Sequence, residues 1–173
     1  MTKYFLGIDP SATSTGVTLL SDDGSEPRVM VIKPGKLRDA DRLHYISTEL
    51  KNFVGAVDVQ LCVHESPSYG STHKEFILGE ALGAIKLTMA MLGIPVIGAA
   101  PTQLKKYLTG SGTASKAQMQ THAKKLGCPS DQEDICDSYS AALLCKDLLC
   151  GPQLKTRASR EVAKLVRSKL ENK

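Results

Sequence analysis

The sequence predicts an α/β fold built on a mixed five-stranded sheet flanked by helices. Two patterns carry this reading: three β-prone segments joined by short turns at the N-terminus, then helical periods alternating with two further strand segments. A third observation bounds it. The chain has 173 residues, 42% hydrophobic and 23% charged, which suits one globular domain with its own core.

Lys3 to Asp9 is apolar and β-prone, and Gly16 to Leu20 repeats the pattern. Asp22-Asp23-Gly24-Ser25 then turns the chain into Arg28 to Ile32, so the three strands should form an antiparallel meander. Leu43, Ile46, Leu50 and Phe53 or Val54 recur at helical spacing, in a helix opening after Asp39 as N-cap. Val57 to Val63 reads as a short strand buried on both faces. A longer helix spans Lys74 to Leu92 and stops at Gly93, with Pro95 beyond, and Val96 to Ala99 is the fifth strand. Thr102 is the expected cap of a short helix to Leu108. The Gly110-Ser111-Gly112 linker leads to another helix from Ser115 to Leu126. Asp131 to Leu149 forms one more, with Ile135, Tyr139, Ala142 and Leu143 on one face, before Gly151-Pro152 ends it. Residues 1–152 read as one domain and 153–173 as a basic C-terminal helical tail.

The formal net charge of +4 conceals a segregation. From Lys155 to Lys173 seven basic residues face only Glu161 and Glu171, and no acid occurs from Ala81 to Ser130. Lys86, Lys105, Lys106, Lys116, Lys124 and Lys125 lie in that acid-free stretch, and acids return abruptly as Asp131, Glu133, Asp134 and Asp137. Such a distribution suits a phosphate polyanion, although solvated helix faces would also produce it. No apolar run approaches the roughly 18 residues of a membrane span, and no signal peptide is evident, so a cytoplasmic protein is expected. The five cysteines include no C-x-x-C pair and are odd in number, which argues against a disulfide framework or a zinc site.

Four carboxylates stand where chemistry would want them. Asp9 ends the first strand before Pro10, and Glu65 ends the fourth strand after Leu61-Cys62-Val63-His64. Asp134 and Asp137, three apart, share a helix face. Singly, Asp9 also suits a turn, Glu65 a loop, and Asp131 or Asp134 a helix N-terminus. Together they repel one another, and a hard divalent cation such as Mg²⁺ would neutralise them. Two such ions about 4 Å apart can hydrolyse a phosphodiester.

Gly7-Ile8-Asp9-Pro10-Ser11 with Thr15-Gly16 resembles the first motif of RuvC-type Holliday junction resolvases, of the RNase H-like nuclease and integrase superfamily. Val63-His64-Glu65 fits the second acidic position. The run from Pro101 through Lys105-Lys106, Gly110-Ser111-Gly112 and Lys116 to Gln118 resembles the family's lysine segment, and Asp131 to Leu143 its final acidic helix. The resemblance covers residues 3 to 150. It implies an RNase H-like nuclease domain over 1–152 and a Mg²⁺-dependent, structure-selective endodeoxyribonuclease that nicks four-way junctions symmetrically in recombination or repair. Asp9, Glu65, Asp134 and Asp137 would be the catalytic metal ligands for two Mg²⁺, with Mn²⁺ a substitute. Lys105, Lys106 and Lys116 would contact phosphates; Lys124, from the acid-free stretch, is a further DNA-contact candidate, and Tyr69 would either stack on a base or anchor its loop. A homodimer formed through the Lys74 to Leu92 helix is implied, with branched DNA as partner and no small-molecule cofactor.

Two features depart from the family pattern: Ser11 replaces a glycine, and Tyr69 comes one place late after Glu65. The tail, with Arg157 and Arg160, lies outside the motifs and is expected to add nonspecific DNA affinity; with Ser11 it points to a phage or viral branch. The main alternative is a related nuclease acting on forks, flaps or other branched DNA. An actin-like or sugar-kinase ATPase would need a second such domain and a second phosphate loop. A non-catalytic junction binder would not keep four acids beside DNA phosphates.

Overall fold

A computed structural model describes residues 1–11, 13–67 and 72–171 of the chain, with residues 72–74 described by their backbone alone. Tyr69 lies outside the described residues. In chain order the elements are β1 (Lys3–Asp9), β2 (Thr15–Ser21), β3 (Arg28–Ile32), α1 (Asp39–Val54), β4 (Asp58–Glu65), α2 (Thr72–Met91) and β5 (Val96–Ala99). Four helices follow: α3 (Pro101–Thr109), α4 (Lys116–Lys125), α5 (Glu133–Cys150) and α6 (Arg157–Glu171).

The short turns close β1, β2 and β3 into the expected antiparallel meander, and the crossover through α1 adds β4 parallel to β1. The sheet runs β3-β2-β1-β4-β5, with β5 parallel to β4. Two helix starts differ from the sequence expectation. Asp39 is not the cap of α1; it is the first helical residue, at a φ of 47°, a left-handed conformation that its short polar side chain tolerates. Thr102 lies inside α3. That helix starts one residue earlier because Pro101 fits the first position, where a missing N–H costs nothing, and the Gln103 side chain accepts from the Ala100 N–H at 2.8 Å.

Strand parity decides which side chains meet which helices. Leu6 and Ile8 of β1 pack with Val17, Leu19 and Cys62 against α1 and α2, through Ile46, Leu50, Ala81, Ile85 and Met89. Phe5, Leu20, Leu61, Val63, Ile97 and Ala99 face the opposite way, into the core built by α3 to α6. Residues two apart on a strand share a face, so Asp9 (with Phe5 and Gly7) and Glu65 (with Leu61 and Val63) both belong to the α5 side.

α5 lies unusually close to that face because β1 and β2 offer glycine beneath it. A Cβ on Gly7 would stand 2.1 Å from the Ser138 carbonyl oxygen, and one on Gly16 would stand 1.9 Å from that of Asp134. Between them the buried Thr18 and Ser138 hydroxyls hydrogen-bond at 2.8 Å. The far end of α5 is clamped by α6. Arg167 donates to the carbonyls of Asp147 and Leu148 at 3.2 and 3.1 Å, adding to the Gly151 N–H bond that Asp147 already accepts and satisfying the Leu148 acceptor near the helix end. α6 buries Ser159, Val162, Ala163 and Val166 in the same core as Leu104, Tyr107 and Leu108 of α3. Among the described residues, no helix is long and apolar enough to cross a membrane.

Candidate active site

The parallel register pairs Ile8 with His64, so Asp9 and Glu65 stand side by side at the C-terminal ends of neighbouring strands. α5 crosses above them and brings its first two turns, with Glu133, Asp134 and Asp137, to the same edge. The charges register on one another. Burial, and then the charges of Glu65, Asp137, Asp134 and Glu133, push the Asp9 carboxyl up to about 9 from its ordinary 3.8. Burial and Asp137 raise Glu65 to about 7, with Lys105 opposing them. Burial and Glu133 raise Asp137 to about 6, against the opposing charges of Lys105 and Lys116. Three carboxyls that resist ionisation at one edge of a sheet are a functional-site signature.

The loop after Asp9 is laced by hydroxyls. The Ser11 N–H donates to the Thr15 hydroxyl at 3.0 Å, which donates back to the Ser11 carbonyl at 2.6 Å. The Ser11 hydroxyl accepts from the Thr13 and Ser14 N–H groups at 3.2 and 3.3 Å, so the side chain that replaces glycine helps shape the loop. Ser14 in turn donates to the Asp134 carboxylate at 2.5 Å.

A cleft of about 250 Å³ opens beside the acids, lined by Glu65, Asp137, Glu133, Lys105, Lys116, Gln120 and Cys136 among others. Lys116 forms an ion pair with Glu133 at 2.5 Å, which raises the pKa of its ammonium. Asp9, Glu65, Asp134, Asp137, Lys105 and Lys116 therefore come together. Other residues singled out in the sequence do not join them. Lys106 points to α6, where it pairs with Glu161 at 3.0 Å. Lys124 is exposed in the last turn of α4. Arg157 pairs with Glu161 at 2.9 Å, and Arg160 donates to the Lys155 carbonyl at 3.0 Å, both on α6. Ser14 and Glu133 escaped the sequence reading. The hydroxyl-rich run directly after Asp9 was the available signal for Ser14; Glu133 was masked by the stronger Asp134–Asp137 pattern.

Among the described residues, no three His, Cys, Asp or Glu side chains gather at one point able to hold a metal ion. Asp134 is turned to Ser14 and Glu133 to Lys116. The donor chemistry still fits a hard divalent cation: the acids supply only oxygen, they carry excess negative charge, and burial makes that charge costly. The cysteines offer no competing soft site, since Cys62, Cys128, Cys136 and Cys145 are buried and burial raises their thiols.

Residues 5–144 match the family model described as crossover junction endodeoxyribonuclease RuvC. The crossover junction endodeoxyribonuclease RuvC of Rhodopirellula baltica is 31% identical over 149 residues, spanning 80% of this chain and 83% of the relative. That of Anaeromyxobacter sp. (strain K) is 33% identical over 143 residues, spanning 80% and 77%. The solved structure of T. thermophilus RuvC in complex with Holliday junction substrate shares the fold, with a TM-score of 0.69 at 24% identity over 82% of this chain and 90% of that one.

Proposed function

The chain belongs to the RuvC family of crossover junction endodeoxyribonucleases, and on that premise we propose that it resolves four-way DNA junctions by paired symmetric nicks that depend on a divalent cation. The observation that carries this reading is the meeting of Asp9, Glu65 and Asp137 at one sheet edge beside Lys105 and Lys116. Residues 1–152 are taken as the nuclease domain.

Asp9, Glu65, Asp134 and Asp137 would hold Mg²⁺, two ions per site, with Mn²⁺ able to substitute. Bound there, a divalent cation supplies Lewis-acid stabilisation of a phosphodiester and acidifies an attacking water. The chain's own side chains do the rest. The carboxylates must be ionised to bind, and their mutual repulsion is what makes the site demand a cation. Ser14 orients Asp134 through its hydroxyl. Lys105, already within electrostatic reach of Glu65 and Asp137, draws the scissile phosphate toward acids that would otherwise repel it. Lys116 is exposed and can leave Glu133 for a phosphate. Hydrolysis in this arrangement leaves 5′-phosphate and 3′-hydroxyl ends.

Symmetric nicking needs two sites, and α2 supplies a surface for a second copy. Phe76, Leu87 and Met91 are 67%, 63% and 66% exposed, and a side chain at Gly79 or Gly83 would meet nothing within 4 Å. Such an open, apolar helix face suits a self-complementary two-fold contact.

The test compares labelled four-way junction, fork, flap and linear duplex, with Mg²⁺ and with EDTA, beside Asp9→Asn. Paired nicks in the junction that need Mg²⁺ and vanish in the variant are expected. Equal cutting of linear duplex would sink junction selectivity, and preferential cutting of forks or flaps would favour the related branched-DNA nuclease.

A further inference from the structure

The family match ends at residue 144, so it says nothing of α6. This helix is two-sided. Ser159, Val162, Ala163 and Val166 are buried in the core, while Arg157, Arg160 and Lys164 recur at three and four residues along the solvent side. Two acids share that side: Glu161 is consumed by ion pairs to Arg157 and to Lys106 of α3, and Glu171 closes the helix. The surface left over is strongly positive.

Its position connects it with the catalytic cleft. α3 stands between two depressions: Pro101 and Lys105 line the carboxylate cleft, and Thr102, Gln103 and Lys106 line a groove of about 640 Å³ shared with Glu161, Lys164 and Leu165 of α6. Towards its C-terminus α6 meets β5, where Lys169 donates to the Gly98 carbonyl at 3.2 Å. Gly98 adjoins Ala99, the register partner of Glu65. The basic face is thus joined to the cleft through α3, whose Lys105 lines the cleft and whose Lys106 meets Glu161 of α6.

We propose that the solvent face of α6, through Arg157, Arg160 and Lys164, is a second DNA track that grips the phosphate backbone of a duplex arm leaving the cleft across α3. It rests on the DNA-processing function above. Charge complementarity selects the occupant. The three cations span about 10 Å of helix, a length over which duplex DNA presents about six phosphate charges. Glu161 acts within the track as a brake, since it holds Lys106 and Arg157 away from phosphate.

The two roles predict opposite signs. Binding to a four-way junction and to plain duplex is measured in EDTA across a salt series, for the parent chain, Arg157→Gln/Arg160→Gln/Lys164→Gln, and Glu161→Gln. The triple variant should bind about tenfold more weakly at 0.1 M salt, with the log affinity–log salt slope shallower by about two to three. Glu161→Gln should bind a few-fold more tightly, with a slope steeper by about one. Equal slopes for all three proteins would overturn the proposal, and so would weakening in both variants, which would make α6 a structural helix only. A parent chain that binds but never nicks a junction in Mg²⁺ would instead count against the proposed activity, while the duplex slopes would still decide the track.

Discussion

Ser14 shows how a small side chain gains importance from its neighbours. Its hydroxyl holds Asp134, one of the proposed metal ligands, and partners that orient metal-binding carboxylates typically change metal affinity or activity by about 10–100-fold when lost. Ser14→Ala should therefore raise the divalent-cation concentration needed for half-maximal nicking by at least about tenfold, a shift that a cation titration reads directly. The acids make a second prediction at this scale. Asp9, Glu65 and Asp137 bind protons in the folded chain up to about 9, 7 and 6, against ordinary values of 3.8, 4.5 and 3.8. Between those limits the unfolded chain holds fewer protons than the folded one, so the site's contribution to stability is full below about pH 4 and is lost as pH rises through 6 to 9. Melting temperature in EDTA should accordingly fall between pH 5 and 8, Asp9→Asn should flatten the trend, and Mg²⁺ should recover stability at pH 8 more than at pH 5.

At the scale of elements, α5 is the part that makes the site, and glycine is what lets it approach. Gly16→Ala would drive a methyl group into the Asp134 carbonyl, so it should cost about 1–3 kcal/mol in urea unfolding. Nicking should fall further than the folded fraction does, because the helix end carrying Asp134 must move. Most elements were legible in the sequence. The turn at Asp22 to Ser25 and the period-two strands gave the meander, and β1 and β4 ended where their acids stood. Asp39 misled because side-chain type alone does not tell a capping Asp from one in a left-handed first position. α6 was expected as a helix, but its place in the core was not: Val162, Ala163 and Val166 had helical spacing, yet the seven basic residues of the tail drew the reading to DNA affinity instead.

Over the whole molecule, the long-range pairings were what the sequence could not display. Lys106 looked equivalent to Lys105, yet its partner Glu161 lies 55 residues away and draws it out of the cleft. Strand parity, by contrast, was implicit in the pattern, since Asp9 and Glu65 each continue an alternation that faces α5. The symmetric cutting by a dimer proposed above belongs to this scale as well. Leu87→Glu places a charge on the exposed apolar face of α2, where it touches no core. It should leave the melting temperature of the protomer nearly unchanged, shift sedimentation toward monomer, and replace paired nicks by single ones in a supercoiled cruciform assay.

The clamp of Arg167 on the end of α5 bears on how the protein breathes. α5 is buried along most of its length, pinned to two glycines at one end and to α6 at the other. Its central amides can meet solvent only when the whole molecule opens, so they should be among the last to exchange with deuterium. The bearer of Asp137 is then a rigid post, and any adjustment to DNA falls to the lysines and hydroxyls around it.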